Sequence, residues 1–166
     1  MNQLESAQAE YEKFPEQFAS VAIATVSGEG LPHASYAPFV MDGEKNIYIF
    51  VSGLSAHTRN LHNTPKASIL FVEDESQTKQ IFARRRLTFE CDAALLPRDT
   101  QEWEQVVAEF EQRFGEIINM MRSLPDFRIF KLTPHAGQFT IGFGAAYKIS
   151  GENLEQLIHI GSKTGN

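Results

Sequence analysis

Short runs of β-branched and aromatic residues, each closed by a turn-forming cluster, recur along this chain and constrain its fold more than any other feature. Residues 21–26 (VAIATV) end at Ser27-Gly28-Glu29-Gly30, and residues 32–41 follow as a second run, so the two read as a hairpin. Asp42-Gly43 is a further hairpin signal and leads into residues 46–51 (NIYIFV). Strands are also expected at 67–72, at 85–96 (one long strand, or two joined by a bulge), at 127–132, at 138–141 and at 145–149. Helical periodicity is clearest at 99–121. There Trp103, Val106, Val107, Phe110 and Phe114 recur at three- and four-residue spacing, Asp99 or Thr100 can cap the start, and Gly115 either ends or kinks the helix. Residues 5–18 read as an N-terminal helix broken at Pro15, and residues 152–158 as a short closing helix before a loose tail at 161–166. Many short strands with a few peripheral helices describe an α+β, mainly β, antiparallel barrel formed as one domain over 1–166.

The bulk properties bound what such a barrel does. An apolar content of 42% with 22% charged residues is ordinary for a soluble domain of 166 residues. A single cysteine, Cys91, excludes an internal disulfide and any multi-cysteine zinc or iron–sulfur site. The first twenty residues are polar and acidic, unlike a signal or transit peptide, and no apolar run approaches the roughly 20 residues that span a bilayer. A cytoplasmic protein without membrane partners is the expectation. The net charge of −6 argues against nucleic-acid binding, and the one basic run, Arg84-Arg85-Arg86, is too short for a polybasic tail.

Against that acidic background, residues 55–73 (SAHTRNLHNTPKASILFVE) stand out. A polar segment holding His57, Arg59, Asn60 and His62 passes through Asn63-Thr64-Pro65 into an apolar strand. A short helix that delivers imidazoles and a guanidinium to the end of a sheet offers a site for an anionic or metal-containing cofactor; an exposed polar helix is the plainer alternative. The five histidines (33, 57, 62, 135 and 159) show neither HExxH nor His-x-His spacing. In the arginine run, strand alternation would send Arg84 and Arg86 to one side and Arg85 to the other. Such a run either charges a strand end against edge pairing or aims a planar fork at a carboxylate or phosphate. Gly142-Phe143-Gly144 is too short and too apolar for a phosphate loop, no nucleophile triad can be placed, and Cys91 reads as a small core residue.

Several segments, taken jointly, carry a family likeness: ATVSGEGLPHASYAPFV, SAHTRNLHNTPKASILFVEDE, FARRRLTFEC, RFGEII, DFRIFKL and GFGAAYKISG. With these the chain resembles the HugZ/HutZ-type haem-utilisation proteins of the pyridoxamine-phosphate-oxidase-like, FMN-binding split-barrel superfamily. The resemblance implies a split antiparallel barrel that forms a homodimer, binds haem near the subunit interface and opens it oxidatively to release iron, with an electron donor as partner. It implies catalytic roles for Arg86, matching an arginine on the distal side of the haem, and for Asp126, matching the acidic partner of the proximal histidine. His57 matches a histidine near the dimer contact, and Arg59 joins these three as a cofactor-binding residue. The family's proximal histidine lies in a C-terminal loop where this chain has Gly161-Ser162-Lys163-Thr164-Gly165-Asn166, which leaves His159 as the expected ligand of the haem iron. Two alternatives accompany this reading. One is a non-catalytic haem carrier or store. The other is an FMN-dependent oxidoreductase. Flavin-binding members grip the phosphate with a Ser-Arg-Lys type segment, which here reads Ser55-Ala56-His57, and Ser35 and Val40 replace the basic residues flanking the preceding strand, so Arg59 is the cation that remains.

Overall fold

The alternating runs form strands whose register closes them on themselves. The computed structural model describes residues 1–161 of the 166, so nearly all of the tail expected to be loose lies outside the described residues. In chain order the elements are α1 (Gln3–Lys13), β1 (Ser20–Val26), β2 (Pro32–Met41), β3 (Ile47–Ser52), α2 (Ala56–Asn63), β4 (Lys66–Val72), β5 (Arg86–Leu96), α3 (Gln101–Phe114), α4 (Ile117–Ser123), β6 (Phe127–Gly142), β7 (Ala145–Ser150) and β8 (Gln156–His159). The strands are hydrogen-bonded in the order β3-β2-β1-β4-β5-β6-β7-β8. Pairing of β3 with β6, from Ile47↔Leu132 to Ser52↔Phe127, closes the first six into an antiparallel barrel that β7 and β8 extend. This is the split barrel expected from the sequence.

Two apolar cores follow from the two faces of the strands. Inward side chains such as Ile23, Ile49, Ile69, Phe71, Leu87, Phe89, Leu132 and Phe139 fill the barrel, and α1 lays Tyr11 against its end, with Phe14 just beyond. Outside, Val40, Tyr48, Phe50, Leu96 and Ile129 meet the apolar stripe of α3, whose Trp103 is 1% exposed. Thr100 caps α3 by accepting from the Trp103 N–H, and Gly115 ends it at φ +84°, a left-handed conformation that glycine takes at no steric cost. Arg98 and Arg122 lie against the Trp103 ring at 4.8 and 5.0 Å from its centroid. No helix of the described residues is long and apolar enough to cross a membrane.

Four expectations are corrected. The strands expected at 127–132 and 138–141 are one strand, β6, despite Pro134. Proline lacks an N–H, but Pro134 stands between the stretch paired with β3, which ends at Leu132, and the stretch paired with β7, which begins at Gly137. The extra residue of a bulge in β6, His135, falls at the same level, since Glu90 pairs with Ala136 and Cys91 with Pro134. The closing helix expected at 152–158 is a single 3₁₀ turn followed by β8: Asn153 and Leu154 take φ of 60° and 57°, which a right-handed helix excludes, and Tyr11 Oη–H holds the Leu154 carbonyl at 2.8 Å. β5 begins at Arg86, so Arg84 and Arg85 precede the strand and do not alternate with it. The N-terminal helix ends at Lys13, and residues 14–17 continue as a 3₁₀ turn with Pro15 near its start.

Candidate functional site

The helix expected near His57 exists and stoppers one mouth of the barrel. α2 turns its buried residues, Thr58, Asn60 and Leu61, inward; Thr58 Oγ1 donates to the Ser52 carbonyl at 2.6 Å and Asn60 Nδ2 to Thr25 Oγ1 at 3.0 Å. These bonds fix the rotation of α2 and set His57 beside β2, where its Nδ1 lies 2.9 Å from Ser35 Oγ. His57 is half-buried, and burial, helped by the neighbouring charge of His33, pushes its pKa below the ordinary value. Its imidazole is therefore biased towards the neutral form, the form that coordinates a metal or accepts a hydrogen bond. Arg59 sits on the outer side of the same helix and donates to the Leu54 carbonyl at 2.9 Å.

Asp126 lies on the far side of that turn. Its carboxylate accepts from Ser52 Oγ at 3.2 Å, and its carbonyl accepts the Gly53 N–H at 2.7 Å. Gly53 is required here, because a Cβ at this position would fall 2.8 Å from the Asp126 carbonyl oxygen. Two residues along, Arg128 Nη1 meets His62 Nε2 at 2.9 Å, a pairing the sequence reading missed.

Arg86 opens β5, opposite Val72 on one side and Thr140 on the other. Leu87 next to it points into the barrel, so Arg86 is on the outer face, half-buried, with Nη1 donating to the Arg84 carbonyl at 2.8 Å. Around it runs an outer surface on β1, β2, β4 and β5 made of Ala22, Ala24, Ala34, Tyr36, Ser68, Leu70 and Thr88, with Tyr36 68% exposed.

His57, Arg59 and Asp126 thus gather around the mouth that α2 covers, while Arg86 and His159 lie towards the other end of β6. His159, on β8, pairs with Tyr147 of β7; it lies three strand spacings from β5, or about 14 Å, and on the inward side, whereas Arg86 faces outward. Its ring packs edge-on to Tyr147, and its Nε2 meets the Gly144 carbonyl. One chain therefore does not place His159 beside Asp126. Among the described residues no group of three or more histidine, cysteine, aspartate or glutamate side chains is arranged to hold a metal ion.

A six-stranded closed antiparallel barrel with extension strands and this helix arrangement defines a split-barrel protein. Residues 7–141 match the pyridoxamine 5'-phosphate oxidase family model. The chain is 42% identical over 151 residues to the heme oxygenase HutZ of Vibrio cholerae, covering 91% of this chain and 85% of that protein. The crystal structure of HutZ from Vibrio cholerae, there described as a heme storage protein, superposes with a TM-score of 0.77 at 39% identity, over 86% of this chain and 99% of that one. Campylobacter jejuni ChuZ superposes with a TM-score of 0.86 at 36% identity, over all of this chain and 66% of the longer ChuZ chain. The chain belongs to the pyridoxamine 5'-phosphate oxidase family and, within it, to the haem-utilisation branch that contains HutZ.

Proposed function

We propose that this protein binds haem for haem utilisation and opens it oxidatively with release of iron, working as a homodimer. The likeness to HutZ across nine-tenths of the chain carries the reading. The residues present suit haem as a substrate: an apolar disc with two carboxylates needs guanidinium partners and an apolar surface, and the face beside Arg86 offers Ala22, Ala24, Tyr36 and Leu70, with Glu90 at its margin accepting from Ser68 Oγ at 3.1 Å. Arg86 and Arg59 each have one of five N–H donors bonded, in both cases to a backbone carbonyl, and neither has a carboxylate partner among the described residues. The small-residue outer face beside Arg86 is uncovered by any described helix, and packing it against a second copy would bring the residues of two barrel mouths and two β5 strands together. The scatter of His57, Asp126 and Arg86 within one chain supports a site shared between copies.

When bound, haem supplies the iron at which dioxygen is activated. The chain's part is to hold and orient it. Arg86 is the cation for a propionate or for the distal side, and Arg59 a second anchor. His57, with Nδ1 engaged by Ser35 and Nε2 without a partner among the described residues, is the imidazole best prepared to face iron. Asp126 is held by Ser52 as an acceptor for an imidazole N–H. His159, engaged with Gly144 and Tyr147, would have to leave those partners to act as ligand, the role its position in the sequence suggests.

Haem titration followed by the Soret band tests the binding: a saturable shift, weakened in Arg86→Ala, is expected, and no shift refutes it. A loss of ligation in His57→Ala but not in His159→Ala supports His57 as the iron ligand; the reverse result restores His159. Turnover is tested with ascorbate under catalase, reading Soret loss and iron release. A persistent Soret band would support the carrier or store instead, a reading favoured by the orientation of His159. FMN is less well provided for, since Ser35 is engaged by His57 and Val40 is buried beneath α3. Of the cations at this mouth, Arg59 is bonded to the Leu54 carbonyl and Arg128 to His62, few donors for a phosphate with nearly two charges.

A further inference from the structure

We propose that Glu73 is a positioning residue for Arg86, acting through the backbone of Arg84; the proposal rests on the reading of Arg86 as a haem-facing residue. Glu73 follows β4 directly and is 9% exposed, an unusual place for a carboxylate. Every polar part of it grips the segment that leads into β5. Its N–H donates to the Arg85 carbonyl at 3.0 Å, and its own carbonyl accepts Arg84 Nε–H at 2.6 Å. Its Oε1 accepts the Arg85 backbone N–H at 3.1 Å, while Oε2 lies 3.7 Å from Arg85 Nη1. Arg85 is anchored from a third element as well, with Nη2 at 2.8 Å from Glu10 on α1 and its guanidinium 5.3 Å from the centre of the Phe14 ring.

The result is a short irregular segment fixed through both backbone and side chains, and what it presents is the Arg84 carbonyl. That carbonyl accepts the one hydrogen bond made by the Arg86 guanidinium among the described residues. A planar fork held by a single bond takes its direction from that acceptor, so the remaining donors of Arg86 point where the Arg84 carbonyl sends them. Strand pairing does not require this: an apolar residue at 73 would keep both bonds made by its own backbone and lose the carboxylate's hydrogen bond to the Arg85 N–H together with its ion pair to the Arg85 guanidinium. The buried carboxylate thereby transmits its own fixed position, over two residues, to the cation on the outer face.

The test has an arm without haem. In ¹⁵N–¹H spectra of the apo protein, a slowly exchanging Nη–H signal that disappears in Arg86→Ala identifies the bond to the Arg84 carbonyl. It is expected to survive in Glu73→Gln, which keeps an oxygen for the Arg85 N–H, and in Glu10→Ala, which releases only α1. It is expected to vanish in Glu73→Ala and in Glu73→Asp, whose carboxylate is one methylene too short; the aspartate variant serves if the alanine variant fails to fold. A surviving signal in a folded Glu73→Asp or Glu73→Ala protein overturns the proposal. In the haem arm, Glu73→Ala or Glu73→Asp should weaken affinity about fivefold, the worth of one ordinary hydrogen bond, and should add nothing in an Arg86→Ala background. Equal losses in both backgrounds overturn it. If Arg86→Ala leaves haem affinity unchanged, the haem reading of Arg86 fails, and the apo spectra still decide the role of Glu73.

Discussion

Two side chains of opposite reactivity show how burial decides chemistry at the level of one residue. The Cys91 thiol is 1% exposed, and burial, reinforced by Glu90 and Asp92 on either side, pushes its pKa up to about 12. Ellman's reagent at pH 8 should leave the native protein unlabelled and titrate one thiol once it is unfolded; prompt labelling of the folded protein would contradict this. His57 is displaced in the other direction. Above pH 6.5 it is neutral in the folded and unfolded chains alike, so its stabilising environment is fully expressed. As the pH falls below 6.5 the unfolded chain takes up the proton first, and the folded state loses stability until the depressed pKa is passed. An NMR titration of the apo protein should place the His57 midpoint below 6.5 and move it upward in His33→Gln; a midpoint at or above 6.5 would refute the effect. Asp126 entered only through the family resemblance, while His57, Arg59 and Arg86 were legible in the sequence as chemically distinctive residues. Ser35 and Glu73 were not, because a hydroxyl or carboxylate acquires its role only from the strand register that sets it beside His57 or Arg84.

Alternation of apolar residues made the barrel strands readable, and the exceptions have specific causes. The sequence QLIH at 156–159 is too short to distinguish a period of 2 from one of 3.6, and of the left-handed residues that stop a helix from forming, Asn153 is only a weak signal and Leu154 none. Pro134 does not interrupt β6, because its missing N–H falls where the strand changes neighbours. Another element-level feature lies three residues on. A Cβ at Gly137 would stand 2.7 Å from the Thr88 carbonyl oxygen, 2.8 Å from the Phe89 ring and 3.0 Å from Ile149. Gly137→Ala should therefore cost about 1–3 kcal/mol, read as a lower urea midpoint; an unchanged midpoint would mean that β5 and β6 can separate at no cost.

For the molecule as a whole, the proposed homodimer makes the outer face of β1 and β2 the region where substitution should matter most. Tyr36→Glu places a charge among small neutral residues there, and sedimentation should show it shifting the protein to a monomer with its far-ultraviolet spectrum intact. A dimer that persists would locate the interface elsewhere. If the proposed site is shared between two copies, its assembly could not be read from the sequence, because no pattern within one chain encodes which of its residues meet across two. The closure of the barrel carries a further consequence, for the order of events during synthesis. The seam between β3 and β6 joins residues 47–52 to 127–132, so a chain emerging from the ribosome must wait some eighty residues before β3 gains its second neighbour. Until then β3 is an exposed apolar edge, and in refolding this long-range closure should be the slow step, with aggregation competing most strongly just before it.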